Sequence, residues 1–505
     1  MTEPEQLNLF THEQLTAMTQ QAVEDKIQKQ PHILIKLQEN ALKVATNARD
    51  NYFKNTAQLI SFLQQKNQDN HLFKINHVEN PSWSNFQNEI VTFIDGGVGQ
   101  IDMNSPVPIL IRVGSYKVKT GEHDISKREE FTYYPIIFGD LEGGSKERKD
   151  FVDIVRITSE LLGAIAALER TPDLKVLMIH GPLVYMMNAY AGHTPFTEKD
   201  IDLFLGHYKG SEQFAQKLKN DFLKDAKDFY YYNCTDRDNP EDRQDFLNKR
   251  LFEPLSWISF LYQRLIREAH NKKRKIKPII MGVVERNNLR EFSFNLFNKI
   301  FDDLYKVNQE GYFNNLYGRT DLNNTHIFLE RLGYTDTLLL SMLLEKQEFS
   351  EPLVIKSKYE NLGQGHICFP NESTKRKFNW SPLKPSNRKK GFPKITAFYL
   401  KVSETTEPIR IEVFNDLGKE QVLEAAKRVY LYSQLLPGYG FPVGLDVVDK
   451  YAKIPKWMTD AYAKQIQYHL AVSLQTGQIT DEQMRQLLIQ SIYMTKRDWL
   501  FRPNV

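Results

Sequence analysis

Cysteine is almost missing from this chain: two in 505 residues, Cys234 and Cys368, far apart and without C-x-x-C spacing. That excludes a disulfide framework and fits a reducing compartment, the cytoplasm. Charge of one sign is also lacking. Lys+Arg 66 against Asp+Glu 63 leaves +3, so attraction to nucleic acid has to come from local patches rather than from the field of the whole molecule. Long hydrophobic runs are absent too. The opening MTEPEQLNLFTHEQL has no apolar core of signal-peptide length, and no later stretch reaches the length of a membrane span, so a soluble protein with no membrane partner is expected. No GxxxxGK(S/T) loop is present, which removes the usual sequence ground for nucleotide binding by this chain.

What is present is an ordinary folding composition, 41% hydrophobic and 12% aromatic. At this length the chain can bury one large core or two ordinary ones. Its focal stretch is Val91–Gln100, VTFIDGGVGQ. Four strand-forming residues run into Asp95, and Gly96-Gly97 would let the backbone turn tightly beside that carboxylate, at the end of a buried strand. A plain strand-to-turn Asp is the structural alternative.

Residues 1 to about 75 read as helical, with no Gly or internal Pro between Pro31 and Pro81. Leu34, Ile35, Leu37, Ala41, Leu42, Val44 and Ala45 recur at helical spacing and predict a core-packing or docking face. Between Ile90 and Gly139 the period becomes that of strands, through VPILIRVGSYKVKTG and FTYYPIIFG. FVDIVRITSELLGAIAALER (151–170) then returns to helical spacing and is apolar most of the way round, as a helix covered on several sides would be. It carries Glu160, one turn from the small residues Gly163 and Ala164; pairing with Arg156 at i−4 is the structural alternative for that acid.

LKVLMI (174–179) is a short, largely continuous apolar run, typical of a strand buried on both faces, and it ends at His180. In α/β sheets ligands bind beyond the carboxyl ends of strands, which gives His180 a chemical reading beside that of a packed structural histidine. Residues 195–275 are charged and helical, an insertion or cap. PIIMGVV (278–284) is a further buried strand, and ITAFYLKV (395–402) with IRIEVF (409–414) makes an antiparallel pair. A helix over Glu420–Leu436 and a Pro/Gly turn lead into a second helix, with Asp446 and Asp449 near its first turns, where acids also suit the helix dipole.

Taken in order, the core is a strand ending in Asp95, a hairpin, a helix carrying Glu160, a strand ending at His180, and a late helix carrying Asp449. This order resembles that of ribonuclease-H-like nucleases, in which carboxylates bridge two divalent ions at roughly 3.5–4 Å to cleave phosphodiesters. Oxygen-rich sites with an occasional imidazole suit manganese or magnesium. On FIDGG (93–97), SELLGAIAAL with Glu160, LMIHGPL (177–183) and FPVGLDVVDKYAKI (441–454), the chain resembles the NurA family.

That resemblance implies an α/β, ribonuclease-H-like (NurA/Piwi-like) mixed-sheet core over 89–460, with a helical N-terminal arm over 1–88, the insertion near 195–275 and a helical C-terminal tail over 461–505. It implies catalytic and metal-binding roles for Asp95, Glu160, His180 and Asp449, with Mn2+ or Mg2+ bound. It implies DNA as substrate, homodimer formation and partnership with a HerA-like hexameric ATPase, in end processing or anti-phage defence. Two positions depart from the pattern. His180 stands where the family has Asp, and Asp449 where it has His, so an acid and an imidazole have changed places. The exchange reads either as a rearranged working site or as a degenerate nuclease kept as an adaptor of the ATPase. A guide-binding relative of Argonaute is a third reading, without a basic-aromatic motif for a 5′ end. Separately, Lys375, Arg376, Lys377, Trp380, Arg388, Lys389 and Lys390 mix cations with aromatics in the manner of single-strand DNA contacts.

Overall fold

The computed structural model describes residues 17, 21–22, 33–79, 81–100, 109–138, 145–184, 197–233, 254–309, 329, 333–355, 393–418 and 420–493. The chain divides into two compact units, one of residues 1–73 with 293–334, the other of 74–292 with 335–505. In the first, helices Ile33–Asn47 and Lys54–Asn70 flank a π-helical turn, Ala48–Phe53. Leu59 and Leu63 are buried, and the Thr56 hydroxyl meets the Tyr334 hydroxyl at 2.9 Å. Leu37, Leu42 and Val44 are exposed, so the apolar face anticipated on the N-terminal helix is not core in the described residues.

The second unit holds a ten-stranded mixed sheet. Its strands are β1 (Ile75–His77), β2 (Ile90–Gln100), β3 (Ile109–Lys119), β4 (Glu129–Phe138), β5 (Leu174–His180), β6 (Ile279–Val284), β7 (Glu348–Ser350), β8 (Leu353–Ile355), β9 (Ile395–Leu400) and β10 (Ile409–Phe414). They are ordered β1-β7-β9-β10-β6-β5-β2-β3-β4, with β8 also on β9. β5 runs parallel to both β2 and β6, and the other pairs are antiparallel. The longest all-apolar strand, β6, is central, because a strand covered on both faces can carry apolar side chains at consecutive positions. β6 is buried at every residue.

Among the described residues, the α-helices of eight or more residues lying wholly in this unit are α1 (Ser145–Arg170), α2 (Glu198–Gly206), α3 (Glu212–Asn233), α4 (Pro254–Ala269), α5 (Asp336–Leu343), α6 (Glu420–Gln434), α7 (Val443–Ala452), α8 (Lys456–Gln475) and α9 (Glu482–Tyr493). α1 to α4 cover the face that carries Ile94, Val113, Leu177 and Ile179. α6 and α7 cover the opposite face, with Val91, Phe93, Val176 and Met178. The segment anticipated as a cap over 195–275 thus supplies core helices: Trp257, Leu261 and Leu265 of α4 are fully buried. Among the described residues no helix is long and apolar enough to cross a membrane.

The sequence reading ends the first central strand at Asp95 with a turn at Gly96-Gly97. β2 instead runs straight on to Gln100, paired throughout with β3. The glycines serve close approach rather than a turn. A Cβ on Gly97 would lie 2.1 Å from the carbonyl oxygen of Ala452, and one on Gly444 would lie 2.3 Å from the Phe93 ring. Missing side chains therefore let α7 rest directly on β2.

Candidate active site

β2 pairs with β5 only from Ile90 to Ile94, while its pairing with β3 continues to Gln100. Asp95 is thus the first residue of β2 beyond the end of its parallel neighbour. It shares a face with Phe93, the α7 face, because side chains alternate along a strand. His180, the last residue of β5, has the parity of Met178 and points to that same face. Gly181, at φ 90°, then turns the chain and donates its N–H to the Val283 carbonyl at 2.8 Å. Phe441 packs edge-on to the imidazole, with ring centroids 5.5 Å apart.

The His180 Nδ1 lies 3.5 Å from Asp95 Oδ1, and that same oxygen accepts the Gly96 N–H at 2.8 Å. Asp449, exposed on α7, lies near enough to Asp95 for the two carboxyls to interact. Arg112 of β3 fixes the end of α7 from below, donating to the carbonyls of Ala452 and Lys453. Glu160 arrives from the other face of the sheet, where α1 passes over Gly96. A Cβ on Gly96 would sit 2.5 Å from Glu160 Oε1 and 3.1 Å from the Arg156 Cγ. The DGG triplet therefore holds an acid toward α7 at its first position, a seat for Glu160 at its second and a seat for α7 at its third.

The four groups sense one another. Burial, at 2% exposure, pushes the Glu160 carboxyl up to about 7; Arg156 and His180 pull it down while Asp95 pushes it up. Burial alone would lower His180, but the hydrogen bond and charge of Asp95, with Asp449 and Glu160 beyond, outweigh it and raise its pKa. Asp449 is raised by partial burial and by the negative charge and hydrogen bond of Asp95. Glu160 is paired with Arg156, Oε1 to Nη1 at 2.7 Å. The helix pair read as an alternative from the sequence is real, yet its acid is buried rather than on the surface.

Three carboxylates and an imidazole suit a hard divalent cation. Among the described residues, however, no three His, Cys, Asp or Glu side chains already stand together as metal ligands. The donors are turned on one another: Asp95 to Asp449 and His180, Glu160 to Arg156. A single ion at Asp95 would have to replace the contacts that Asp95 makes, whereas Glu160 is already engaged by a cation.

Of the four residues singled out in the sequence, Asp95, His180 and Asp449 lie toward the α7 side of β2, while Glu160 reaches Gly96 from the α1 side. The cationic and aromatic positions Lys375, Arg376, Lys377, Trp380, Arg388, Lys389 and Lys390 lie outside the described residues. Not anticipated were the seats at Gly96 and Gly97, the Arg112 clamp on α7 and the packing of Phe441 on His180. The alternation of Gly97 and Gly99 on one strand face, with Gly114 of β3 opposite Asp95 on that same face, is the signal that could have shown where a helix lies close.

A mixed α/β sheet whose acids and imidazole gather where the parallel strands end defines an α/β protein with a strand-end polar site. Residues 258–454 match the family model described as the NurA domain. Asp449 lies within that span; Asp95, Glu160 and His180 precede it. The chain is similar to the NurA nuclease from Sulfolobus solfataricus at 12% identity and a TM-score of 0.42, over 87% of this chain and 96% of that one. It is similar also to NurA crystallised with manganese, at 13% identity and a TM-score of 0.38 over 83% and 94%. A third likeness is to NurA bound to dAMP and manganese, at 11% and 0.37 over 83% and 94%. No curated protein matches the chain.

Proposed function

We propose that this chain is a divalent-metal-dependent deoxyribonuclease, holding Mn2+ or Mg2+ through Asp95, His180 and Asp449. The observation that carries the reading is the convergence of these three residues, from three separate segments, at the point where β2 outruns β5. A divalent ion there would polarise a phosphodiester and acidify water. Asp95 is central, since its carboxylate faces both other donors. His180, turned to Asp95 through Nδ1, would keep a fixed ring orientation and offer its other ring nitrogen to the ion. Buried Glu160, paired with Arg156, closes the floor of the site.

As a NurA-type subunit the chain would act as a homodimer with a HerA-like hexameric ATPase, in DNA end processing or anti-phage defence, and the Lys375–Lys390 segment would contact DNA. A second reading, a catalytically degenerate adaptor of that ATPase, is favoured by one observation: Arg156 already neutralises Glu160. The test is degradation of linear and circular DNA in manganese, with and without the ATPase, by the wild type and by Asp95→Ala. Cleavage that Asp95→Ala abolishes is the expected result. Absence of cleavage with the complex intact would replace it with the adaptor reading.

A further inference from the structure

The two sides of this site differ in a way that bears on how many ions it takes. Asp95, His180 and Asp449 share the α7 face of the sheet. Glu160 comes from the α1 face, and its carboxylate is already matched: Arg156, one helical turn before it, places Nη1 2.7 Å from Oε1. Arg156 also lies 3.6 Å from Asp153 on its own helix. The pair cannot easily part. Glu160 is 2% exposed, so its charge has no route to bulk water. Both side chains rest on Gly96, where any Cβ would collide with Glu160 Oε1 at 2.5 Å, Glu160 Cγ at 3.0 Å and Arg156 Cγ at 3.1 Å. A glycine at that strand position, an acid on the crossing helix and an arginine one turn earlier make a built seat for an ion pair. A metal ion between Glu160 and Asp95 would have to stand against that guanidinium, a fixed positive charge at close range.

We infer that Arg156 occupies the role of a second metal ion: it holds Glu160 as an internal counter-cation, and the site takes one divalent ion, on Asp95, His180 and Asp449. This rests on the metal-dependent reading above and narrows it. Arg156 is a positioning residue, since it acts on the site through Glu160.

The experiment is Mn2+ binding to the full chain, followed by equilibrium dialysis for stoichiometry and by electron paramagnetic resonance for coupling between ions. The wild type should bind one Mn2+ per chain with the spectrum of an isolated ion. Arg156→Met should admit a second ion and give a spin-coupled spectrum. Glu160→Gln, which keeps a hydrogen-bond acceptor for Arg156, should leave the single ion's affinity within about tenfold, the low end of what changes behind a ligand cost. The Glu160→Gln arm and the wild-type stoichiometry carry the test if Arg156→Met does not fold. Two coupled ions in the wild type, or loss of the single ion in Glu160→Gln, would overturn the role of Arg156 and leave the nuclease reading standing. No Mn2+ bound by natively folded wild type would overturn both.

Discussion

The carboxylate of Glu412, in the middle of β10, accepts the backbone N–H of Leu183 at 2.8 Å. It thereby ties the turn that follows His180 to a strand two places away in the sheet. Its other oxygen takes the Arg410 Nε at 2.7 Å, and Arg410 reaches Glu291 at 2.6 Å and the Tyr399 hydroxyl at 3.1 Å. Gly282, opposite Glu412 in register, leaves room for the turn, since a Cβ there would lie 2.4 Å from the Leu183 nitrogen.

Glu412→Ala removes a buried partner of a buried guanidinium, which costs about 3–5 kcal/mol in comparable cases. The expected result is a matching fall in urea-unfolding free energy, together with weaker Mn2+ binding because His180 loses its anchored turn. Glu412→Gln keeps an acceptor for Leu183 and should lose less. Equal losses for the two variants would show that the Leu183 contact contributes nothing.

Gly97→Ala should destabilise the fold by about 1–3 kcal/mol, the usual cost of forcing atoms into a packed contact. The new Cβ meets backbone of α7, which cannot rotate away. Gly438→Ala, where a Cβ meets nothing within 4 Å, is the matched control and should stay within about 0.5 kcal/mol. Thermal melts of the two variants check this.

Metal-free protein should lose stability as pH rises through the neutral range. Glu160 binds its proton more tightly folded than unfolded, so between its ordinary value of 4.5 and about 7 the folded state holds the extra proton and rising pH favours unfolding. A shift of that size is worth on the order of 3 kcal/mol. His180 acts in the same sense: its raised pKa stabilises the fold below its unfolded value of 6.5 and the gain is lost as pH rises through the folded value. Stability curves in EDTA from pH 4 to 9 should slope downward, and Glu160→Gln should flatten the acid half of the slope.

Exchanging the two departing positions together should be gentler than changing either alone. His180→Asp sets a third carboxylate beside Asp95 and Asp449, and Asp449→His sets a second imidazole beside Asp95. The double variant keeps the original charge count at the site. Residues in contact commonly couple by about 0.5–3 kcal/mol. A double-mutant cycle on Mn2+ affinity should therefore show the pair recovering what each single change loses, and strict additivity would mean that the two positions do not face one ion.

Much of this was legible because hydrophobic period reports burial. LKVLMI and IIMGVV could only be central strands, and the helical run over 151–170 had to be covered on several sides. His180 was legible from its position at the end of its strand; Asp95, Glu160 and Asp449, which lie within their elements, were legible from the motifs that carry them. The role of DGG was misread, since Gly-Gly after a strand is the common signature of a turn, and only the packing of α1 and α7 reveals that each glycine admits a different neighbour. The depth of Glu160 was likewise hidden. An i−4 arginine normally marks a solvated helix face, and what buries this acid is β2, a partner distant in the chain.

The sheet also sets a timetable. Asp95 is laid down early in synthesis, whereas α7, which lies directly over it, is made several hundred residues later. Closing so long a loop is entropically slow, and contacts of this range form late in folding. A growing chain therefore carries β2 without the acid above it, and the complete donor set appears only after α7 has been made and has settled onto its glycine seats. The donors of β2 and β5 therefore wait, through most of the chain's assembly, for the acid of residues 443–452 to join them.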